Sequence, residues 1–77
     1  MAITVRYFAT LREQLGRAED RLETPSPITA QAVWEQATNQ QPWVDRALVA
    51  INMEYASLTD LVNDGDEVAF FPPVTGG

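Results

Sequence analysis

The sequence predicts an α+β domain in which one main helix packs across one face of a mixed sheet. Three observations lead there. Ile3, Val5 and Tyr7 alternate with Thr4, Arg6 and Phe8, the two-residue period of a strand with one apolar face. Ala30, Val33, Trp34 and Ala37 recur at helical spacing, with Gln31, Glu35 and Gln36 left for the solvent side. Leu48–Ile51 is a continuous apolar run of strand length, and the acidic turn residues Asp64, Gly65 and Asp66 introduce a further run, Glu67–Phe71.

In chain order, residues 2–9 read as the first strand, with Phe8 breaking its pattern by falling on the polar face. Thr10, Leu11, Arg12 and Glu13 fit a capping box with Thr10 as N-cap, and Gly16 is placed to end a helix of barely two turns. Residues 17–23 are polar apart from Ala18 and Leu22 and read as a short edge strand closed by Pro25 and Pro27. Thr29 is the expected N-cap of the main helix, with Ile28 packing on Val33 as a hydrophobic staple, and Asn39 its expected end. Trp34 belongs to the apolar stripe and is expected in the core. Trp43 reads either as a plug under the following loop or as a half-exposed contact, and the core reading is preferred. After Leu48–Ile51, residues 52–54 read as a turn, since asparagine tolerates left-handed backbone. Residues 55–57 form a short returning strand, and residues 58–62 a connection that buries Leu58 and Leu61.

Composition narrows the chemistry. Seventy-seven residues make one small domain. There is no cysteine to act as a nucleophile and no histidine to act as a general base or metal ligand. Asp60, Asp64, Asp66 and Glu67 form the one carboxylate cluster, but Val62 stands where a calcium loop needs an oxygen donor, so no metal is expected. A net charge of -6 argues against nucleic acid and is compatible with a cationic protein partner. The opening residues place Arg6 inside a short apolar run, unlike a signal peptide or membrane span, which makes the cytoplasm the expected location. All five basic residues are arginines. The absence of lysine suits a protein with an activated carboxyl group of its own, and compositional bias toward arginine explains it equally well.

The most informative stretch is the last. Pro72 and Pro73 lack backbone donors and force Phe71 to be the final residue pairing in a sheet. This divides the chain into a domain, residues 1–71, and a flexible tail, residues 72–77. Gly76 and Gly77 carry no Cβ, so the tail is slender enough to enter a narrow channel where its carboxylate can be activated. Two terminal glycines arise by chance in about one chain in 200 at ordinary glycine usage. Their weight comes from the Phe-Phe-Pro-Pro lead-in.

Residues 64–77, Asp-Gly-Asp-Glu-Val-Ala-Phe-Phe-Pro-Pro-Val-Thr-Gly-Gly, closely resemble the carboxyl end of the small, sulfur-carrying subunits of molybdopterin synthase, the MoaD type. The resemblance extends to residues 3–9 with Leu11, Arg12 and Glu13, and to Ala50, Ile51 and Asn52. It implies the ubiquitin-like β-grasp fold, with the first and last strands side by side at the centre, and a mobile Gly-Gly tail. It also implies that a ubiquitin-activating-type enzyme adenylates Gly77 with ATP, and that the terminus becomes a thiocarboxylate. Sulfur then passes to a cyclic pyranopterin precursor on the large catalytic subunit, within an assembly expected to be a heterotetramer. Val74, Thr75 and Gly76 would provide clearance. No cofactor is expected on this chain, and its lack of catalytic side chains makes it a donor subunit whose partners supply the chemistry. Sulfur carriers for thiamine synthesis or transfer-RNA thiolation, and ubiquitin-like protein modifiers, share the same features and remain alternatives.

If the helix covers one face of the sheet, Phe8, Phe71 and Tyr55 fall on the other. With Pro72 and Pro73 they form an expected docking patch beside the tail, the alternative being a second minor core under the loops.

Overall fold

A computed structural model describes residues 2–73. The elements are β1 (Ile3–Tyr7), α1 (Ala9–Leu15), β2 (Glu19–Leu22), β3 (Ile28–Thr29), α2 (Ala30–Ala37), β4 (Leu48–Ile51), β5 (Glu54–Ala56), β6 (Leu61–Val62) and β7 (Glu67–Phe71). Five strands form one sheet in the order β2-β1-β7-β4-β5, and β3 pairs with β6 in a second, two-stranded sheet. β1 and β7 run parallel at the centre of the larger sheet, with Val5 opposite Val68 and Tyr7 opposite Phe70. The other pairings in both sheets are antiparallel. This is the β-grasp arrangement, and it bears out the expected neighbour relation of the first and last strands.

Alternation along each central strand decides which side faces the helices. Ile3, Val5 and Tyr7 of β1, Val49 of β4, and Val68 and Phe70 of β7 are buried and meet Leu11 of α1 and Ala30, Val33 and Trp34 of α2 in one core. Burying a large apolar side chain contributes about 1.5–3 kcal/mol each, which makes this cluster the main source of stability. Trp34 is edge-on to Tyr7, Trp43 and Phe70 at centroid separations of 6.3, 5.0 and 5.1 Å. Trp43 is half-buried and packed on this cluster, as a core plug should be. The Trp34 indole N–H donates to Gln41 O at 2.8 Å, which pins the loop after α2 over the ring.

The expected caps hold at two helix ends, shift by one residue at a third and fail at the fourth. Thr29 Oγ1 accepts from the Ala32 N–H at 3.1 Å, and the Gly16 N–H donates to Arg12 O from a left-handed conformation, φ 74°. α2 closes with the Thr38 N–H donating to Trp34 O, and Asn39 follows it with φ 57°. Thr10, however, lies inside α1. The N-cap is Phe8, which makes no side-chain cap bond. The reason is local: the Phe8 N–H continues the ladder by donating to Phe70 O at 3.2 Å, and Ala9 then turns the chain at φ 52°, so the helix begins two residues early.

Strand ends also shift. β1 stops at Tyr7 rather than residue 9, β2 occupies only Glu19–Leu22, and β5 begins at Glu54 because Asn52 and Met53 form the whole turn, at φ 50° and 70°. Leu61 corrects an expectation, being 57% exposed while its neighbour Val62 is fully buried. Antiparallel pairing of Ile28 with Val62 and Thr29 with Leu61 fixes which side of β6 faces the core.

Candidate functional site

The face of the large sheet turned away from the helices carries the candidate site. Two rows of side chains cross it, set by register. Arg6 lies level with Ala69, Ala69 with Ala50, and Ala50 with Tyr55. One row further along, Phe71 stands opposite Leu48, with Phe8 beyond it where β1 ends. The alanines leave a shallow floor, and the larger side chains rim a cleft of about 410 Å³ that also touches Met53 and Glu67.

Phe8 and Phe71 are stacked with centroids 4.7 Å apart and planes 10° from parallel, and Tyr55 tilts toward Phe71 at 6.4 Å. These are the three aromatic residues that sequence alternation assigns to the uncovered face. Phe8 is 38% and Tyr55 78% exposed, so no loop among the described residues roofs the patch, which speaks against a second minor core. Pro72 and Pro73 follow Phe71 without strand pairing and are half-buried. Val74, Thr75, Gly76 and Gly77 lie outside the described residues.

Sequence reasoning missed two members of this face. Met53, at the tip of the β4–β5 turn, is 91% exposed. A flexible apolar side chain at a turn position is the signal that points to it. Arg6 links the patch to its charged border, with Nε 3.2 Å from Glu67 and the guanidinium 3.6 Å from Glu19. These half-exposed pairs contribute little to stability, at most about 1 kcal/mol each, and so are free to exchange for a partner's charges.

Behind the sheet, the Tyr7 hydroxyl donates to Asp20 at 2.8 Å, Arg17 Nε donates to the same carboxylate at 2.6 Å, and a second Arg17 nitrogen donates to Ala37 O at 2.8 Å. Burial first, and then the hydrogen bond and charge of Asp20, hold the Tyr7 phenol well above its ordinary ionisation range. This network fastens the edge strand β2 to α2 and takes no part in the open face. At the other end of the sheet, Asp66 accepts from Asn63 N–H at 2.8 Å and from the Asn52 amide at 3.1 Å, so the acidic turn is closed by its own hydrogen bonds. Among the described residues no group of three or more His, Cys, Asp or Glu side chains is placed to hold a metal ion, and no helix is long and apolar enough to cross a membrane.

The central strand β7 thus brings Phe71, Pro72 and Pro73 to the apolar, uncovered face of the sheet. The profile of the ThiS family matches residues 5–77. The chain belongs to the ThiS family. This ThiS-family chain is 42% identical to the molybdopterin synthase sulfur carrier subunit of Haemophilus influenzae, over 97% of its own length and 99% of the relative's. Among solved structures it is similar to SAMP1, small archaeal modifier protein 1, of Haloferax volcanii, with a TM-score of 0.79, 27% identity and full coverage of both chains. The complex of subunits 1 and 2 of the molybdopterin-converting factor from Helicobacter pylori shares the fold, with a TM-score of 0.64, 22% identity and full coverage of both chains.

Proposed function

We propose that this ThiS-family chain is the sulfur carrier of a molybdopterin synthase and that its working group is the carboxylate of Gly77. The observation that carries the reading is the placement of β7. The last strand lies at the centre of the sheet, and the chain leaves it at Phe71, inside the exposed Phe8–Phe71–Tyr55 cluster. The body thus presents an adhesive surface beside the root of a slender tail. The name borne by the Haemophilus relative supports the pathway.

The chemistry divides between chain and partners. A ubiquitin-activating-type enzyme joins the Gly77 carboxylate to the α-phosphate of ATP, releasing pyrophosphate. Sulfur delivered at the hydrosulfide level then attacks the acyl carbon and forms a C–S bond, the C–O bond to AMP breaks with AMP taking its electron pair, the S–H proton passes to solvent, and a thiocarboxylate remains. The loaded protein docks on the large catalytic subunit through Phe8, Tyr55, Phe71, Pro72 and Pro73, in a heterotetramer, and residues 74–77 enter that subunit's active site. There sulfur passes to a cyclic pyranopterin precursor in building the molybdopterin dithiolene. The chain binds no cofactor of its own, and ATP belongs to the activating enzyme. The working location is the cytoplasm.

Intact mass after incubation with activating enzyme, ATP and a sulfur donor tests this. A gain of roughly 16 Da, oxygen replaced by sulfur, is the carrier's result. The likeness to an archaeal modifier favours one second reading, in which the activated tail acylates lysines of other proteins. Stable ladders of higher mass on target proteins, without the sulfur gain, are the outcome that reading requires.

A further inference from the structure

The open face carries one group whose chemistry docking does not use, the thioether of Met53. The turn that bears it is anchored. The Asn52 N–H donates to Glu67 O at 2.7 Å, its side-chain oxygen accepts from the Glu67 N–H at 3.0 Å, and its amide donates to Asp66 at 3.1 Å. The Met53 side chain beside it is 91% exposed and so contributes little to the core. It lines the cleft of about 410 Å³ together with Phe8, Phe71 and Tyr55. Phe8 and Phe71 stack on each other at 4.7 Å, which leaves Met53 as the flexible apolar wall, able to fold over whatever enters.

The same side chain is chemically singular. The chain has no cysteine, and its other methionine, Met1, lies outside the described residues. Among the described residues, Met53 therefore holds the sole sulfur atom, and that atom is open to solvent at the rim of the docking cleft.

Resting on the reading that this face docks on the large subunit, we propose that Met53 is a reversible oxidation site whose sulfoxide form docks poorly. The substrate class is a hydroperoxide. The thioether sulfur attacks one peroxide oxygen, and an S–O bond forms as the O–O bond breaks. The second oxygen leaves with the electron pair as hydroxide, takes the proton from the new S–OH group and becomes water. Sulfur is oxidised by two electrons and the peroxide is reduced by two. A methionine sulfoxide reductase reverses the step with two thiols, which become a disulfide while the oxygen departs as water. The sulfoxide places a strong acceptor on the wall of an apolar cleft. A partner side chain seated there strips water from that oxygen, which opposes docking. Once docked, the partner covers the sulfur, so the undocked chain is the form that reacts.

The test treats the full chain with hydrogen peroxide, removes the peroxide with catalase and measures binding to the large subunit by titration calorimetry. Cleavage after Glu54 puts Met53 and Gly77 in different fragments, so an added oxygen, roughly 16 Da, is told apart from sulfur at the terminus. Oxidation is expected at Met53, with affinity lowered at least tenfold, the thermal midpoint unchanged, and affinity restored by the reductase. Peroxide added to the assembled complex is expected to leave Met53 unmodified. Met53→Leu is expected to bind equally before and after peroxide, whatever its starting affinity. Oxidised wild type that binds as tightly as untreated protein, the result if Arg6 turned from Glu67 to satisfy the sulfoxide, overturns the proposal and leaves the docking reading standing. A Met53→Leu variant weakened by peroxide as much as wild type overturns it too. An untreated chain that does not bind the large subunit sinks the docking reading, and this inference with it.

Discussion

Phe70 and Phe71 project from β7 to opposite faces of the sheet. Phe70 is fully buried against Trp34 and Trp43 at 5.1 and 5.6 Å, whereas Phe71 stacks on Phe8 in the open patch. One peptide bond therefore separates a residue that holds the fold from one available to a partner. Phe70→Ala is expected to cost about 3–5 kcal/mol, as a fully buried ring leaves a cavity, and denaturant unfolding measures it. Phe71→Asp is expected to stay within about 1 kcal/mol of wild type by the same measurement. It should weaken binding to the large subunit more than tenfold by titration calorimetry, and unchanged affinity would remove Phe71 from the docking surface.

The Tyr7–Asp20–Arg17 network makes a pH prediction. Because the folded protein holds the Tyr7 phenol proton more tightly than the unfolded chain, the stabilisation is fully present below the unfolded value of about 10 and declines as pH rises beyond it. Tyr7→Phe should lose about 1 kcal/mol at neutral pH through the missing hydrogen bond to Asp20. Its stability should then fall less steeply than wild type above pH 10. Parallel slopes for the two proteins in that range would show that Tyr7 is not the group responsible.

Asn52 holds the β4–β5 turn to the start of β7. Its backbone N–H donates to Glu67 O at 2.7 Å, its side-chain oxygen accepts from the Glu67 N–H at 3.0 Å, and its amide reaches Asp66 at 3.1 Å. Its φ of 50° is one that asparagine and glycine accept better than alanine. Urea unfolding should rank wild type above Asn52→Gly and Asn52→Gly above Asn52→Ala, with the alanine variant down by about 1–3 kcal/mol. Equal stability of the two variants would mean that backbone preference contributes nothing here.

The tail can be separated from the body by experiment. Removing Gly77, or adding one residue after it, should abolish the gain of sulfur in the mass measurement while leaving the thermal midpoint unchanged, since the core closes at Phe70. A sulfur gain that persists would place the reactive group elsewhere.

How legible all this was depends on how much periodicity each element offers. β7 was readable to the residue because a glycine turn opens it and two prolines close it, and alternation alone puts Phe8, Phe71 and Tyr55 on one face. β3 and β6 were not readable. Two residues carry no period, so nothing local told Leu61 from Val62, and only their pairing with Thr29 and Ile28 decides which is buried. Thr10 shows the opposite failure: a well-formed capping signal was overridden because the ladder to Phe70 extends through Phe8 and the chain turns at Ala9. Arg6 and Met53 drew no attention as site residues because each is ordinary in sequence, and only the register of four strands assembles them around one cleft.

The central position of the final strand also bears on how the protein is made. While the chain is still emerging from a ribosome, β1 and β4 are present but the strand that joins them, Glu67–Phe71, is not, so the sheet stays in two unjoined parts until Phe71 clears the exit tunnel. Prematurely terminated products therefore lack the strand that joins the sheet along with the Gly-Gly end. Unfolded chains of that kind are the ones that cellular proteases select.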